Sequence, residues 1–259
     1  MEDYNQIRSL WGFEIFLSPG KSNARGTAIL FNNNFEYKIY NEYKDQEGNL
    51  LVLEINIYDK YDLLVLNIYG PNMDNPDFFL KISEIISDFN GDFVILAGDF
   101  NLVQDPSLDY YNYKCINNKK SREVVLRLKD IHALTDPWRV KHENTCRYTW
   151  CRNNPTRKAR LDFFLISNEL MALVDNVNIA AGYRSDHSRI ELHLIFNKFE
   201  KRKGFWKFNN TLLSDQPYIN IVKNTIKKLK AQYAASPYNP LIVNIINCDH
   251  LELVIDDQI

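Results

Sequence analysis

The sequence predicts an α/β sandwich: two sheets packed face to face, with a few helices against them. Three observations predict it. Short apolar segments follow one another along the first 196 residues at a density too high for a helical protein. The first of them succeed one another through tight turns, as a β-meander does, rather than alternating with helices. Two segments with helical apolar spacing interrupt the strands, enough to cover a sheet face but too few for a β-α-β series.

The chain has 259 residues, 45% of them hydrophobic, enough for one large core. Lys and Arg number 31 against 33 Asp and Glu, so no global basic field draws in nucleic acid and any such binding must use local patches. No secretory signal or long apolar run is visible, which predicts an intracellular protein without a membrane partner. Cys115, Cys146, Cys151 and Cys248 lack framework spacing and read as free thiols. His142, Cys146 and Cys151 lie close together, but no second ligand pair follows, and zinc is not expected.

Ile7, Leu10 and Trp11 at helix-like spacing make Met1–Gly12 read as the end of an amphipathic helix. Glu14–Leu17 and Gly26–Asn32 read as strands, the second behind a turn at 23–26. Leu50–Tyr58 and Leu63–Tyr69 form the next pair, joined across Asp59–Asp62. Asp74 or Asn75 can cap a helix with Pro76 in its first turn. That helix, Pro76–Phe89, carries Phe79, Ile82, Ile85, Ile86 and Phe89 on one face. Phe93–Ala97 is a buried strand ended by Gly98, and Gln104–Asn118 a polar loop. Ser121–Leu134 is the second helix, stopped at Asp136-Pro137. Tyr148–Cys151 is a short strand, 152–158 a basic hairpin loop, and Leu161–Ser167 a central strand. A short helix at Asn168–Val174 precedes two closing strands, Val177–Tyr183 and Ile190–Phe196. Residues 1–197 thus make one domain; 198–259 hold a charged linker (KFEKRK, 198–203), an amphipathic helix at Gln216–Ala235 and a patchily apolar end.

Polar groups gather where strands end, the usual place for ligands in α/β sheets. In extended geometry Asp99 and Asn101 point the same way, out of the sheet edge. Asn67–Asn72 (NIYGPN), Arg160-Leu161-Asp162 and Ser185-Asp186-His187 stand at similar edges. Together they suit phosphate-ester hydrolysis. His187 can bind or protonate a phosphate, and Asp162 can fix its tautomer. Asp99 can align or deprotonate water, and Asp186 can help hold Mg²⁺. Asn101 and Tyr69 can donate to phosphate oxygens. The turn reading of each motif would have to hold independently to remove the site.

The ordered set NIYGPN, LAGDFN, RLDFFLIS and SDHS resembles the endonuclease/exonuclease/phosphatase superfamily. It most resembles the apurinic-type endonuclease domain of LINE-type (non-LTR) retrotransposons. RYTW at 147–150, RGTAILF at 25–31 and GFWKFNN at 204–210 match that subgroup, the last at its junction with the reverse transcriptase. The resemblance implies a four-layered α/β sandwich with the site at the top of two sheets. It implies that Tyr69 contacts the phosphate and Asn72 shapes that strand end. Asp99 then positions water beside Asn101, Asp162 orients His187, and Asp186, with Asp99 as a further ligand, holds Mg²⁺ or Mn²⁺. Arg152, Arg157, Lys158 and Arg160 become a DNA-facing hairpin, with Ser22, Asn23 and Arg25 as a second backbone contact.

The expected activity is Mg²⁺-dependent nicking of nuclear target DNA by a monomer, with a covalently linked reverse transcriptase and element RNA as partners in an intact element. The family pattern opens with a strand ending in Asn and another ending in a metal-binding Glu; neither has a counterpart here. A sandwich lacking its first two strands, with impaired catalysis, is therefore expected. The alternatives are an inactive DNA-binding remnant and a phosphatase of the same fold; GFWKFNN argues against the phosphatase.

Overall fold

A computed structural model describes residues 11–20, 26–32, 36–113, 118–153, 156–182, 185–196, 216–217, 219–221, 223–224 and 250–255. Strands β1 (Ile15–Pro19) and β2 (Gly26–Leu30) form an antiparallel pair. β3 (Tyr37–Lys44), β4 (Leu50–Ile57), β5 (Tyr61–Tyr69), β6 (Phe93–Asp99), β11 (Asp162–Ser167) and β8 (Leu134–Thr135) make a six-stranded sheet in the order β3-β4-β5-β6-β11-β8. Only β5 and β6 run parallel in it, because helix α1 (Pro76–Asp88) carries the chain back between them. β12 (Val174–Ala180), β13 (Arg189–Ile195) and β14 (His250–Ile255) form an antiparallel second sheet.

Alternation along each strand divides the core. On β5, Leu63 and Val65 face one way and Leu64, Leu66 and Ile68 the other. The first set packs with Ile95, Ala97, Phe164 and Ile166 against Val177, Ile179, Ile190, Leu192 and Leu194 of the second sheet. The second set is roofed by Phe79, Ile82 and Ile86 of α1 and by Val125 and Leu128 of α2 (Lys119–Ile131). This is the expected α/β sandwich. Among the described residues no helix is long and apolar enough to cross a membrane.

Several element boundaries differ from expectation. Strand β3 was not predicted: it is an edge strand, exposed along most of its length, with Tyr37 and Ile39 packed against the core, a signal too short to mark a strand. The stretch 152–158 is not all loop, since β9 (Trp150–Arg152) and β10 (Arg157–Ala159) pair across it and β7 (Tyr110–Tyr111) joins them. A short helix α3 (Pro137–Lys141) starts on Asp136, whose side chain accepts from the Arg139 amide at 3.1 Å. The C-terminal stretch was expected apart from the first domain, yet β14 pairs with β13 from Ile190↔Ile255 to Ile195↔His250. An open strand edge is a row of unmet donors and acceptors, and β14 satisfies them. Of Gln216–Ala235, residues 216–217, 219–221 and 223–224 are helical, and the rest lies outside the described residues.

Candidate active site

Three neighbouring strands place three candidate residues in one row. Tyr69 ends β5 and stands opposite Asp99, which ends β6. Asp162 opens β11 and stands opposite Asp99 on its other side. Gly98 lies within β6 rather than ending it. Its φ of +128° and the nearness of the Ile68 carbonyl leave no room for a Cβ. Beyond Asp99 the chain turns sharply. Asn101 adopts a left-handed conformation, φ +50°, and its amide donates to Asp99 Oδ1 at 2.7 Å. The expected extended i, i+2 alignment of Asp99 and Asn101 is thus replaced by a turn that Asn tolerates well. Asn101 Nδ2 donates to the Gly70 carbonyl at 2.8 Å, tying this turn to the end of β5. Asn118 Nδ2 in turn donates to the Asn101 carbonyl at 2.7 Å.

His187 arrives from the other sheet, in the turn between β12 and β13. Gly182 makes this turn possible, because a Cβ there would meet the His187 carbonyl. His187 Nδ1 lies 2.9 Å from Asp162 Oδ2, and Asp162 is buried. One donor atom from each of Asp99, Asp162 and His187 lies within 4.8 Å of the others. Burial pushes the Asp99 carboxyl up to about 7, and the facing Asp162 charge adds to the rise; His187 and the Asn101 amide oppose it. Asp99 therefore exchanges a proton near neutrality, the range a water-activating group needs.

Asp186 is outside this three-residue cluster. It is exposed, and its Oδ2 accepts from the Trp150 indole Nε1 at 2.8 Å. Asn72 is exposed and lines a cleft of about 310 Å³ with Asp45, Glu47, Asn49, Pro71, Met73, Asn75 and Phe78. This cleft is at the end of β5, not over the carboxylates. Asp74 in the same loop accepts from Ser121 N at 2.8 Å and Lys120 N at 3.1 Å, capping α2 from outside the helix.

The basic residues divide. Arg152 is exposed, and Arg157 and Lys158 are half-buried on the β9–β10 hairpin. Ser22, Asn23 and Arg25 lie outside the described residues. Arg160 corrects the expectation of a DNA-facing side chain: only 1% of it is exposed. Its guanidinium bonds Asp109 at 2.8 and 3.1 Å and Asp136 at 2.7 Å, between the Trp138 and Phe163 rings. Burial alone would lower the Arg160 pKa, but the Asp136 and Asp109 carboxylates raise it well above the ordinary value. Arg139 pairs with Asp109 as well, and Gln104 Nε2 donates to Asp136 at 3.1 Å. None of these partners was expected, since each stands far from Arg160 in the sequence.

Thr149 was also missed as a functional residue, standing in RYTW as a family signature alone. It is buried, and its hydroxyl accepts from Leu161 N at 2.9 Å and Asp162 N at 3.0 Å.

The sequence profile of the Endonuclease/Exonuclease/phosphatase family matches residues 3–187. The transposon TX1 uncharacterized 149 kDa protein of Xenopus laevis is 26% identical over 228 residues, 85% of this chain. The chain spans 17% of that relative's length. Among solved structures, the AP endonuclease LMAP of Leishmania major superposes with a TM-score of 0.62 over 74% of each chain, at 15% identity. The endonuclease domain of TRAS1, a telomere-specific non-LTR retrotransposon, gives 0.52 at 14% identity, over 68% of this chain and 77% of that one.

Proposed function

Because the chain belongs to the endonuclease/exonuclease/phosphatase family, we propose that it hydrolyses phosphodiester bonds in DNA as the nicking endonuclease of a non-LTR retrotransposon. The observation that carries this reading is the Asp162–His187 pair at 2.9 Å, set beside buried Asp99 at one sheet edge.

With Asp162 accepting at Nδ1, the Nδ1 proton and the ring orientation are fixed. In the proposed reaction His187 acts as the imidazolium, its charge balanced by Asp162, so that Nε2–H binds a non-bridging phosphate oxygen and stabilises its growing charge. Asp99 takes a proton from the attacking water. The water oxygen bonds to phosphorus, the P–O3′ bond breaks, and the departing O3′ takes a proton from solvent to become a free 3′ hydroxyl. Tyr69 and Asn101 flank the phosphate.

A hard divalent cation, Mg²⁺ or Mn²⁺, fits this donor set. Two buried carboxylates face one another, and the rise in the Asp99 pKa comes first from burial and then from the Asp162 charge beside it, a pairing of carboxylates that a cation would relieve. Asp99 would hold it, with Asp162 adjoining and Asp186 nearby. When bound it would neutralise phosphate charge and acidify water. Arg152, Arg157 and Lys158 would contact the DNA backbone. A nuclear site of action, a linked reverse transcriptase and element RNA complete the proposal.

The test is supercoiled plasmid with the purified chain and Mg²⁺ beside a His187→Ala control. Nicking that disappears in the variant supports the reading. Salt-sensitive DNA binding without nicking, in this chain and in one extended at its N-terminus, would replace it with a binding role.

A further inference from the structure

We propose that Thr149–Cys151 is the staple that sets the alignment of Asp162 with His187, and that the Thr149 hydroxyl is its principal positioning group. The inference deepens the proposed function, because it concerns the same pair.

The need for such a device follows from the fold. Asp162 belongs to the six-stranded sheet and His187 to the turn between β12 and β13 of the other sheet. Between the sheets lies an apolar core. Apolar packing is non-directional, and it does not by itself hold two polar side chains to within a few tenths of an ångström. Directional bonds must supply that precision, and the segment 149–151 supplies them to both sides.

Toward Asp162, the Thr149 amide donates to the Ala159 carbonyl at 3.0 Å. Its hydroxyl oxygen takes both the Leu161 and the Asp162 amides, at 2.9 and 3.0 Å. Both lone pairs of that oxygen are used. Toward His187, the Thr149 carbonyl accepts from Ser188 N at 2.5 Å, and Cys151 N donates to the Asp186 carbonyl at 2.9 Å. Trp150 forms a bridge with His187, and its indole holds the Asp186 carboxylate. Three consecutive residues thus bond the chain immediately before and at Asp162, and immediately before and after His187.

A valine at 149 keeps the shape and removes the acceptor, leaving two buried amides unpaired. The start of β11 would then relax away from the turn that carries His187. A serine keeps the acceptor. Neither change touches substrate, so Thr149 positions and does not catalyse.

The decisive readout is independent of nuclease activity. With ¹⁵N-labelled histidine, wild-type His187 should show a proton held on Nδ1, with the downfield shift of a hydrogen bond to carboxylate. Thr149→Ser should keep that signature and Thr149→Val should lose it. With plasmid substrate, Thr149→Val should lower kcat by about 10²-fold while KM stays within about threefold, and Thr149→Ser should restore kcat. Retention of the hydrogen-bonded Nδ1 proton in folded Thr149→Val overturns the proposal. If the valine variant does not fold, the serine variant decides, since loss of the signature there overturns it and retention supports it. Absence of nicking by every variant, with the NMR pattern as expected, would count against the endonuclease reading and leave the staple standing.

Discussion

Replacing Arg160 with Met separates a buried structural cation from a DNA contact. Methionine keeps much of the volume between Trp138 and Phe163 and removes the charge and its three bonds to Asp109 and Asp136. Breaking a buried ion pair by deleting one partner costs about 3–5 kcal/mol, because the other charge stays buried. Here the remaining contacts set the cost near the lower bound. Asp109 keeps Arg139 and also the Asp105 amide at 3.1 Å. Asp136 keeps Gln104 Nε2 at 3.1 Å and the Arg139 amide at 3.1 Å, but no second cation at bonding distance among the described residues. A loss of about 3 kcal/mol lowers Tm by roughly 6–12 °C for a chain of this size. Differential scanning calorimetry reads this directly. In parallel, DNA affinity of the folded variant is measured from 50 to 200 mM salt. Its slope against log salt should equal that of the wild type, because Arg160 neutralises no phosphate. A Tm unchanged within about 1 °C, together with a slope reduced by about one, would refute the buried assignment and return Arg160 to the DNA-facing hairpin.

Three further outcomes follow from the same geometry. Asp99 binds its proton in the folded chain up to about pH 7, whereas an unfolded Asp releases it near pH 3.8, so the folded state holds more protons between these values. Metal-free protein should therefore lose stability as pH rises from about 4 to 7, by on the order of a few kcal/mol, and then level off. Urea midpoints at pH 5 and pH 8 check this, and Asp99→Asn should flatten the difference; equal midpoints in the wild type would contradict it. Arg152→Ala should weaken DNA binding uniformly across sequences and reduce the salt slope by about one, as fluorescence anisotropy would show. Asp74→Ala removes the acceptor at the start of α2 and should cost about 1 kcal/mol in urea unfolding, with Asp74→Asn closer to wild type.

How much of this was legible in the sequence depends on the kind of interaction. The central strands and both long helices were, because apolar periodicity records which faces are buried; Leu63 to Ile68 alternates between two cores as its pattern implies. The juxtaposition of Tyr69, Asp99 and Asp162 was legible as strand ends, although the register that lines them up comes from sheet pairing. Edge strand β3 was not legible, because half-exposed polar strands bury too little to leave a pattern. Nor was the direction of Asn101, which depends on a left-handed turn that several residue types can adopt.

Arg160 marks the limit most sharply. It ends a basic stretch and precedes a buried strand, so its neighbours in sequence allow either burial or exposure. What decides is a pair of carboxylates lying 51 and 24 residues away. A buried cation costs several kcal/mol unless such partners converge on it. The cluster has a consequence for the site. The Arg160 amide donates to the Asp109 carbonyl at 2.8 Å, two residues before Asp162, while the guanidinium closes on the Asp109 carboxylate. Main chain and side chain thus hold the approach to β11 against one residue of a distant loop. The basic hairpin changes character along its length, from the exposed Arg152 to the buried Arg160 that anchors the strand bearing Asp162. Exposed and buried cations thus stand close together in one hairpin, and the placement of their counter-ions tells them apart.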